Sequence, residues 1–233
     1  MEYSNLASEE KVEKNHIKSI DKFNNIKSNY FLQKVFNNLE TKKSLNIIKY
    51  NNNIKERINI NINDYKEEYS SIEIEIKLSN NKYGRFIDYN KEDEKYFHIY
   101  FNNNEEEIKR NYINKDEQIK IIKIKIDYQI KSFANLFYEC NCIESINFKK
   151  FYRSDINSMM CMFWGCSSLK ELNLNNFNTM NVTSMNYMFR KCSLLTELNL
   201  NNFNTDNVTD MTQMFYGCSS LKELNLSILI QKM

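Results

Sequence analysis

The chain has 233 residues, of which 42% are hydrophobic, so it is long enough to bury one or two cores. Its 32 basic and 30 acidic side chains nearly cancel, and residues 131–233 hold 9 and 8 of them, which excludes a strongly basic surface for nucleic acid. Neither a secretory signal nor an apolar run of about 18 residues is present, so the sequence predicts a cytoplasmic protein without a membrane span. Display at the cell surface by an unrecognised export route is the alternative.

The N-terminal 60 residues divide into an arm and a helical unit. Residues 1–27 are polar and predict a disordered or frayed arm. In 28–60, apolar residues recur at helical spacing and predict short amphipathic helices. These residues are Leu32, Val35, Phe36 and Leu39, followed by Leu45, Ile48, Tyr50, Ile54 and Ile58.

Beyond residue 60, the spacing of apolar residues falls to two, which predicts a small β region over 61–130. Ile72, Ile74, Ile76 and Leu78 alternate with charged residues, and the stretch runs into an Asn-containing turn. Two further strands are predicted around Phe97–Phe101 and Ile122–Ile126. Because the ends of repeat arrays expose apolar edges, we expect this region to cap the repeats in the C-terminal part of the chain.

A 26-residue repeat occupies 131–233. Phe163, Phe189 and Phe215 lie one period apart, and a worn earlier copy begins near residue 133. Cys140, Cys166, Cys192 and Cys218 recur with the same period and predict reduced, buried thiols.

Each copy predicts one strand and one helix. Leu172 and Leu174 alternate with polar residues and predict a strand with the leucines inward. Val182, Met185 and Met188 then follow at helical spacing, with Asn181 or Thr183 expected to cap the helix. The predicted fold class is therefore α/β, a short leucine-rich repeat solenoid with a parallel sheet.

Two stretches resemble known families. The pattern MFxGCSSLxELxLxxFxTxNVTxMxxMF resembles the repeat of BspA-like leucine-rich repeat surface proteins over about 131–226. That resemblance implies adhesion and protein binding, without catalytic residues. The segment FLQKVFNNLETKKSLNII is weakly similar to an F-box, which implies recruitment to a ubiquitin ligase, although the usual Leu-Pro opening is missing. The Asn bias and the absence of proline are typical of proteins from AT-rich genomes.

Catalytic, cofactor and metal sites are not predicted. Only His16 and His98 could serve as imidazole bases, and both are expected to be structural or exposed. The six cysteines lack the paired CxxC spacing of zinc sites, and the three glycines are too dispersed for a phosphate loop.

The predicted partner surface is the row of outward strand positions. Its members are Glu171, Asn173, Asn175, Glu197, Asn199, Asn201, Glu223 and Asn225, with Trp164 as a candidate aromatic anchor. The sequence therefore predicts a non-enzymatic protein-interaction scaffold, with a ubiquitin-ligase substrate adaptor or an exported adhesin as alternatives. No polar capping copy follows the last repeat, so the sequence predicts one of three outcomes: the C-terminal tail folds back as a cap, the array self-associates through that end, or the chain is a truncated paralogue of a longer one.

Overall fold

The computed structural model describes residues 23, 25–37, 51–57, 70–151 and 153–222. The chain divides into two compact units, Met1–Tyr69 and Ser70–Met233. Parts of several predictions lie outside the described residues. These are most of the N-terminal arm, the helical run of Leu45, Ile48 and Tyr50, the positions Leu39 and Ile58, and the C-terminal Glu223 and Asn225.

The first unit contains two short helices, α1 (Asn29–Asn37) and α2 (Asn52–Arg57). The predicted apolar face of α1 is confirmed in part. Leu32 and Phe36 are buried, Val35 is half-buried, and the Phe36 ring packs edge-on against Phe23 at 5.8 Å. The side chain of Asn51 accepts a hydrogen bond from the Ile54 amide, which caps the start of α2. Both helices therefore belong to a packed unit.

The second unit is built on one mixed sheet of six strands. These are β1 (Ile72–Leu78), β3 (Phe97–Phe101), β4 (Glu107–Ile108), β6 (Ile121–Ile126), β7 (Ile143–Lys150) and β8 (Glu171–Asn173). Their order across the sheet is β4-β3-β6-β1-β7-β8. Two further strands, β2 (Gly84–Arg85) and β5 (Tyr112–Ile113), form a separate pair. The three strands predicted before the repeats are thus confirmed.

Alternation of side chains fixes the register of this sheet. The isoleucines of β1 are buried, while the intervening Glu75 and Glu73 lie opposite Lys123 and Lys125 of β6. A shift by one residue would expose the isoleucines and bury the charges, so one register is strongly preferred. The other edge of β1 pairs antiparallel with β7, so the sheet crosses directly into the first repeat copy.

The repeat copies stack through matching side chains. Phe137, Phe163, Phe189 and Phe215 form a column with ring centroids 5.6 Å apart and planes inclined by 5° to 7°. Single parallel bridges also join Ser132, Ser158, Ser184 and Asp210 in successive copies. The 26-residue period in the sequence is therefore the stacking period in space.

Amides within each copy alternate between two kinds of partner. Alternate N–H groups donate to the next copy, and the intervening ones close turns within their own copy. In one copy the bonds to the next copy are Tyr187 N–H to Thr212 O, Phe189 N–H to Met214 O and Lys191 N–H to Tyr216 O, at 2.8–3.0 Å. In this stretch of the copy, every second amide is therefore unavailable for a helix.

The predicted α/β leucine-rich repeat solenoid is wrong, because the described fold is mostly β and the repeats contain no helix in their described residues. Two residues in each copy have positive φ, which breaks a right-handed helix. They are Asn135 and Glu139, Cys161 and Gly165, Tyr187 and Lys191, and Gln213 and Gly217. The predicted parallel sheet is likewise reduced to the pairing of β7 with β8 and to single bridges.

The NVT motif has a different role from the predicted helix cap. Asn181 and Asn207 donate from their amide side chains to Ser154 O and Met180 O of the preceding copy, at 2.8 and 2.7 Å. The Thr183 hydroxyl donates to Asn157 O at 3.1 Å. These side chains therefore bind one copy to another.

The alternating amides make hydrogen exchange a direct test of the stacking. Gln213, Phe215 and Gly217 correspond to the donors Tyr187, Phe189 and Lys191, but their amides have no hydrogen-bond partner among the described residues. We expect the amides of the last copy to exchange at least on the order of 100-fold faster, measured by NMR or mass spectrometry. Equal exchange at equivalent positions of the two copies would contradict this arrangement.

A buried arginine fastens the turn between β6 and the first repeat copy. Arg153 is 5% exposed, and its guanidinium donates to the carbonyls of Asp127, Tyr128 and Ile130. Its Nε also donates to Asp155 Oδ1 at 2.7 Å. This residue could not be identified from the sequence, because an arginine between repeat elements carries no pattern of its own.

Asp155 adds a pH-dependent contribution to this contact. Burial acts to raise the pKa of Asp155, but the hydrogen bonds and charges of Arg153 and Lys131 lower this pKa to about 2. Because the pKa lies below the ordinary value of 3.8, the contribution is present above about pH 4 and lost as the pH falls towards about 2. We expect the difference in urea midpoint between wild type and Asp155→Asn to shrink over that range. A difference independent of pH would contradict the shift.

Candidate functional site

The predicted partner residues surround an open depression on the exposed face of the sheet. Glu171, Asn173, Asn175, Glu197 and Asn199 all line it, and its volume is ≈ 540 Å³. Charged side chains of β1 and β7 and the lysine that precedes β8 complete the rim, namely Glu75, Lys77, Lys149 and Lys170. The structure thus brings together residues from two repeat copies and from β1 and β7.

Two asparagines of the depression also stabilise the fold. The side-chain oxygens of Asn173 and Asn199 accept hydrogen bonds from the backbone amides of Asn175 and Asn201, both at 3.0 Å. Asn173 also donates to Asn147 Oδ1 of the preceding copy at 3.1 Å. These two amides hold turns and copy-to-copy stacking, so they are the least free to bind a partner.

Two glutamates of the depression, Glu171 and Glu197, are not engaged by its lysines. Lys149 pairs with Glu75 at 3.3 Å, and Lys170 pairs with Glu144 at 2.9 Å. Within the described residues, the exposed Glu171 and Glu197 make no hydrogen bond or ion pair through their carboxylates. They are therefore the carboxylates that a partner would meet.

Trp164 lies away from the depression. Its ring packs edge-on against Tyr138 at 4.8 Å and beside Tyr187 at 6.0 Å, and it is half-buried. Asn201 is exposed but does not line the depression. The predicted anchor and the predicted polar row therefore belong to different parts of the surface.

Five of the six thiols are buried, Cys218 is partly buried, and none of the six forms a disulfide. Cys166, Cys192 and Cys218 donate to the carbonyls of Phe137, Phe163 and Phe189 of the preceding copy, at 3.0–3.1 Å. Burial raises the pKa of Cys166 and Cys192 well above the ordinary range. These two thiols thus stay protonated at neutral pH and are poor nucleophiles.

The contact made by Cys192 gives a stability prediction. We expect Cys192→Ser to lower the free energy of unfolding by about 1–2 kcal/mol, because a more polar hydroxyl is buried and the shorter C–O bond moves the donor away from Phe163 O. Thermal melting measures the effect. Cys218→Ser is the control, because Cys218 makes the same bond but is only partly buried, so its loss should be smaller. A Cys192→Ser melting temperature equal to wild type would contradict the prediction.

His98 lies between two carboxylates rather than beside a nucleophile. Its Nδ1 lies 2.9 Å from Glu107 Oε1, and its Nε2 lies 3.1 Å from Asp127 Oδ2. Hydrogen bonds from Lys109 and His98 lower the pKa of Glu107. His16 lies outside the described residues.

No three His, Cys, Asp or Glu side chains of the described segments are grouped so that they could hold a metal ion.

None of the helices in the described segments has the length and apolar character needed to cross a membrane.

The repeat region is similar to a protein family of unknown function. The family model that matches residues 131–229 is described as "Mycoplasma protein of unknown function, DUF285". The expected resemblance to BspA-like leucine-rich repeat proteins is therefore wrong, and no leucine-rich repeat family matches. Neither the search of curated proteins nor the search of solved structures finds a match.

Proposed function

We propose that this protein is a non-enzymatic protein-binding module that holds a segment of a partner polypeptide in the depression on its exposed sheet face. The observation that supports this proposal is the convergence of Glu171, Asn175 and Glu197 from different copies around one open depression. A depression with a polar rim and an open mouth suits an extended segment better than an enclosed small molecule.

The carboxylates of Glu171 and Glu197, which have no partner among the described residues, favour a basic segment. Glu171 and Glu197 occupy equivalent positions of successive copies, one 26-residue period apart. Lysine or arginine side chains of a partner would neutralise them, and each charge-assisted hydrogen bond would add both affinity and register.

Affinity purification with a matched charge control tests the proposal. Wild type, the double variant Glu171→Lys with Glu197→Lys, and the control Glu105→Lys with Glu106→Lys would each be used to capture proteins from a lysate of the source cells. Both pairs are exposed and carry the same charge change. A protein held by wild type and the control but lost from the double variant supports the depression as its site. Equal capture by all three, with equal melting temperatures, would overturn it.

The adaptor and adhesin alternatives gain no support. Leu32 and Phe36, which carry the F-box-like spacing, are 0% and 1% exposed, so they serve the core of the first unit. The adhesin alternative depended on the resemblance to BspA-like leucine-rich repeat proteins, which is wrong.

A further inference from the structure

A column of planar side chains runs beside the buried phenylalanines. It consists of Tyr138, Trp164, Arg190 and Tyr216, each directly after a column phenylalanine and one 26-residue period from the next. The Arg190 guanidinium lies 5.6 Å from the Trp164 ring and 4.7 Å from the Tyr216 ring. We refer to these four residues as the planar column. None of them lines the depression on the sheet face.

Stacking of the copies does not explain which residues fill the planar column. Where stacking controls a position, the same residue recurs, as the phenylalanine and cysteine positions show. The planar column instead holds tyrosine, tryptophan and arginine, and Tyr216 is 60% exposed. These three residue types dominate the energetics of protein interfaces, because each presents a large, rigid surface with a polar group.

Arg190 lacks an anion among the described residues. Its Nη1 donates to the neutral side chain of Gln213, and its buried Nε has no hydrogen-bond partner in the described part of the chain. It forms no ion pair with a described carboxylate, and neither does the adjoining, exposed Lys191. A partly buried guanidinium without a carboxylate is costly, so this surface is electrostatically complementary to a negatively charged group.

We propose that the planar column is a second docking surface, which binds an acidic polypeptide segment. A side-chain carboxylate of that segment engages Arg190, and an adjacent aromatic side chain packs against Trp164 and Tyr216. The carboxylate supplies the missing anion, and the rings retain their apolar contacts when water is excluded. A polyanion such as single-stranded nucleic acid is the competing ligand, which an oligothymidine in the titration distinguishes.

Trp164 makes the proposal measurable, because it is the only tryptophan in the chain. The full-length protein would be titrated with the blocked synthetic peptide Gly-Glu-Phe-Glu-Phe-Glu-Gly while Trp164 emission is recorded. We expect a saturable change in emission, with a dissociation constant raised about tenfold or more by Arg190→Gln or by Tyr216→Ala. Tyr216→Ala keeps the test informative if Arg190→Gln alters the fold, because Tyr216 is exposed and near the edge of the described array.

Controls separate this surface from general charge attraction and from the depression. Lys120→Gln removes an exposed charge elsewhere and should leave the dissociation constant unchanged. The double variant Glu171→Lys with Glu197→Lys should also bind the acidic peptide as wild type does, so the two proposals can fail separately. A second peptide, with glutamine in place of each glutamate, and an oligothymidine complete the set. No saturable response, an equal response to the glutamine peptide, or tighter binding of the oligothymidine would overturn the proposal.

Discussion

Replacing Phe163 by alanine is expected to lower the free energy of unfolding of the second unit by about 3–5 kcal/mol. Phe163 is 0% exposed, and its ring lies parallel to those of Phe137 and Phe189 at 5.6 Å on each side. Removal of the ring leaves a cavity between two rings that cannot close without shifting whole copies. For a unit of this size, the melting temperature should fall by about 6–20 °C.

Phe215→Ala is the matched control for Phe163→Ala. Phe215 occupies the equivalent position of the last described copy, is only partly buried, and stacks on Phe189 alone among the described rings. We expect a loss of about half that of Phe163→Ala, because one ring contact is removed instead of two. Urea denaturation followed by circular dichroism measures both variants. Equal losses would show that the column does not stack as described.

The second large effect is expected for Arg153→Ala, at about 2–4 kcal/mol. Three carbonyls, those of Asp127, Tyr128 and Ile130, lose a charged donor, and each buried acceptor left unpaired costs about 1–3 kcal/mol unless water replaces the donor. Because Asp127 also lies 3.1 Å from His98, the variant should disturb the His98 environment as well. Urea denaturation measures the first effect, and the NMR shifts of the His98 ring measure the second.

Arg153→Lys distinguishes the hydrogen bonds from the charge. Lysine retains the positive charge beside Asp155 but cannot donate to three carbonyls in the fixed planar geometry of a guanidinium. We expect it to recover less than half of the stability lost in Arg153→Ala. Full recovery of stability would show that the charge alone matters. If neither variant loses stability, the contacts of Arg153 with the turn do not stabilise the fold.

The strands before the repeats could be predicted because their signal is local. Alternation of isoleucine with lysine and glutamate requires one buried and one solvated face, whichever strand lies alongside. That Glu75 lies opposite Lys123 follows only from the pairing of β1 with β6, which joins residues far apart in the sequence. The charged rim that Glu75, Lys77 and Lys149 give to the depression was missed for the same reason.

In the repeats, the period was predicted correctly but the secondary structure was not. Val182, Met185 and Met188 are buried, as an amphipathic helix would require. The same burial is achieved by turns, because the positive φ of Tyr187 and Lys191 directs alternate amides to the next copy. Hydrophobic spacing cannot distinguish these outcomes, since tyrosine and lysine give no local signal for a left-handed backbone.

The candidate site was also predictable only in part. Alternation along the strand indicated that Glu171, Asn173 and Asn175 point outward, and the structure exposes all three. Which of these side chains is free was decided by contacts between copies, which engage Asn173 and leave the Glu171 carboxylate without a partner among the described residues. Trp164 could be singled out as an aromatic anchor, but its neighbour Arg190 became notable only through its missing anion.

The period of 26 residues, the recurring phenylalanine and cysteine positions, and the faces of the early strands can all be read from the amino-acid sequence. These features follow from the polarity of the side chains, because apolar side chains favour burial in any fold. By contrast, the formation of turns rather than helices in the repeats, and the pairing of β1 with the first copy, emerge only in the folded chain. Both outcomes depend on backbone hydrogen bonds between distant segments, and the donors and acceptors of those bonds are the same in nearly every residue.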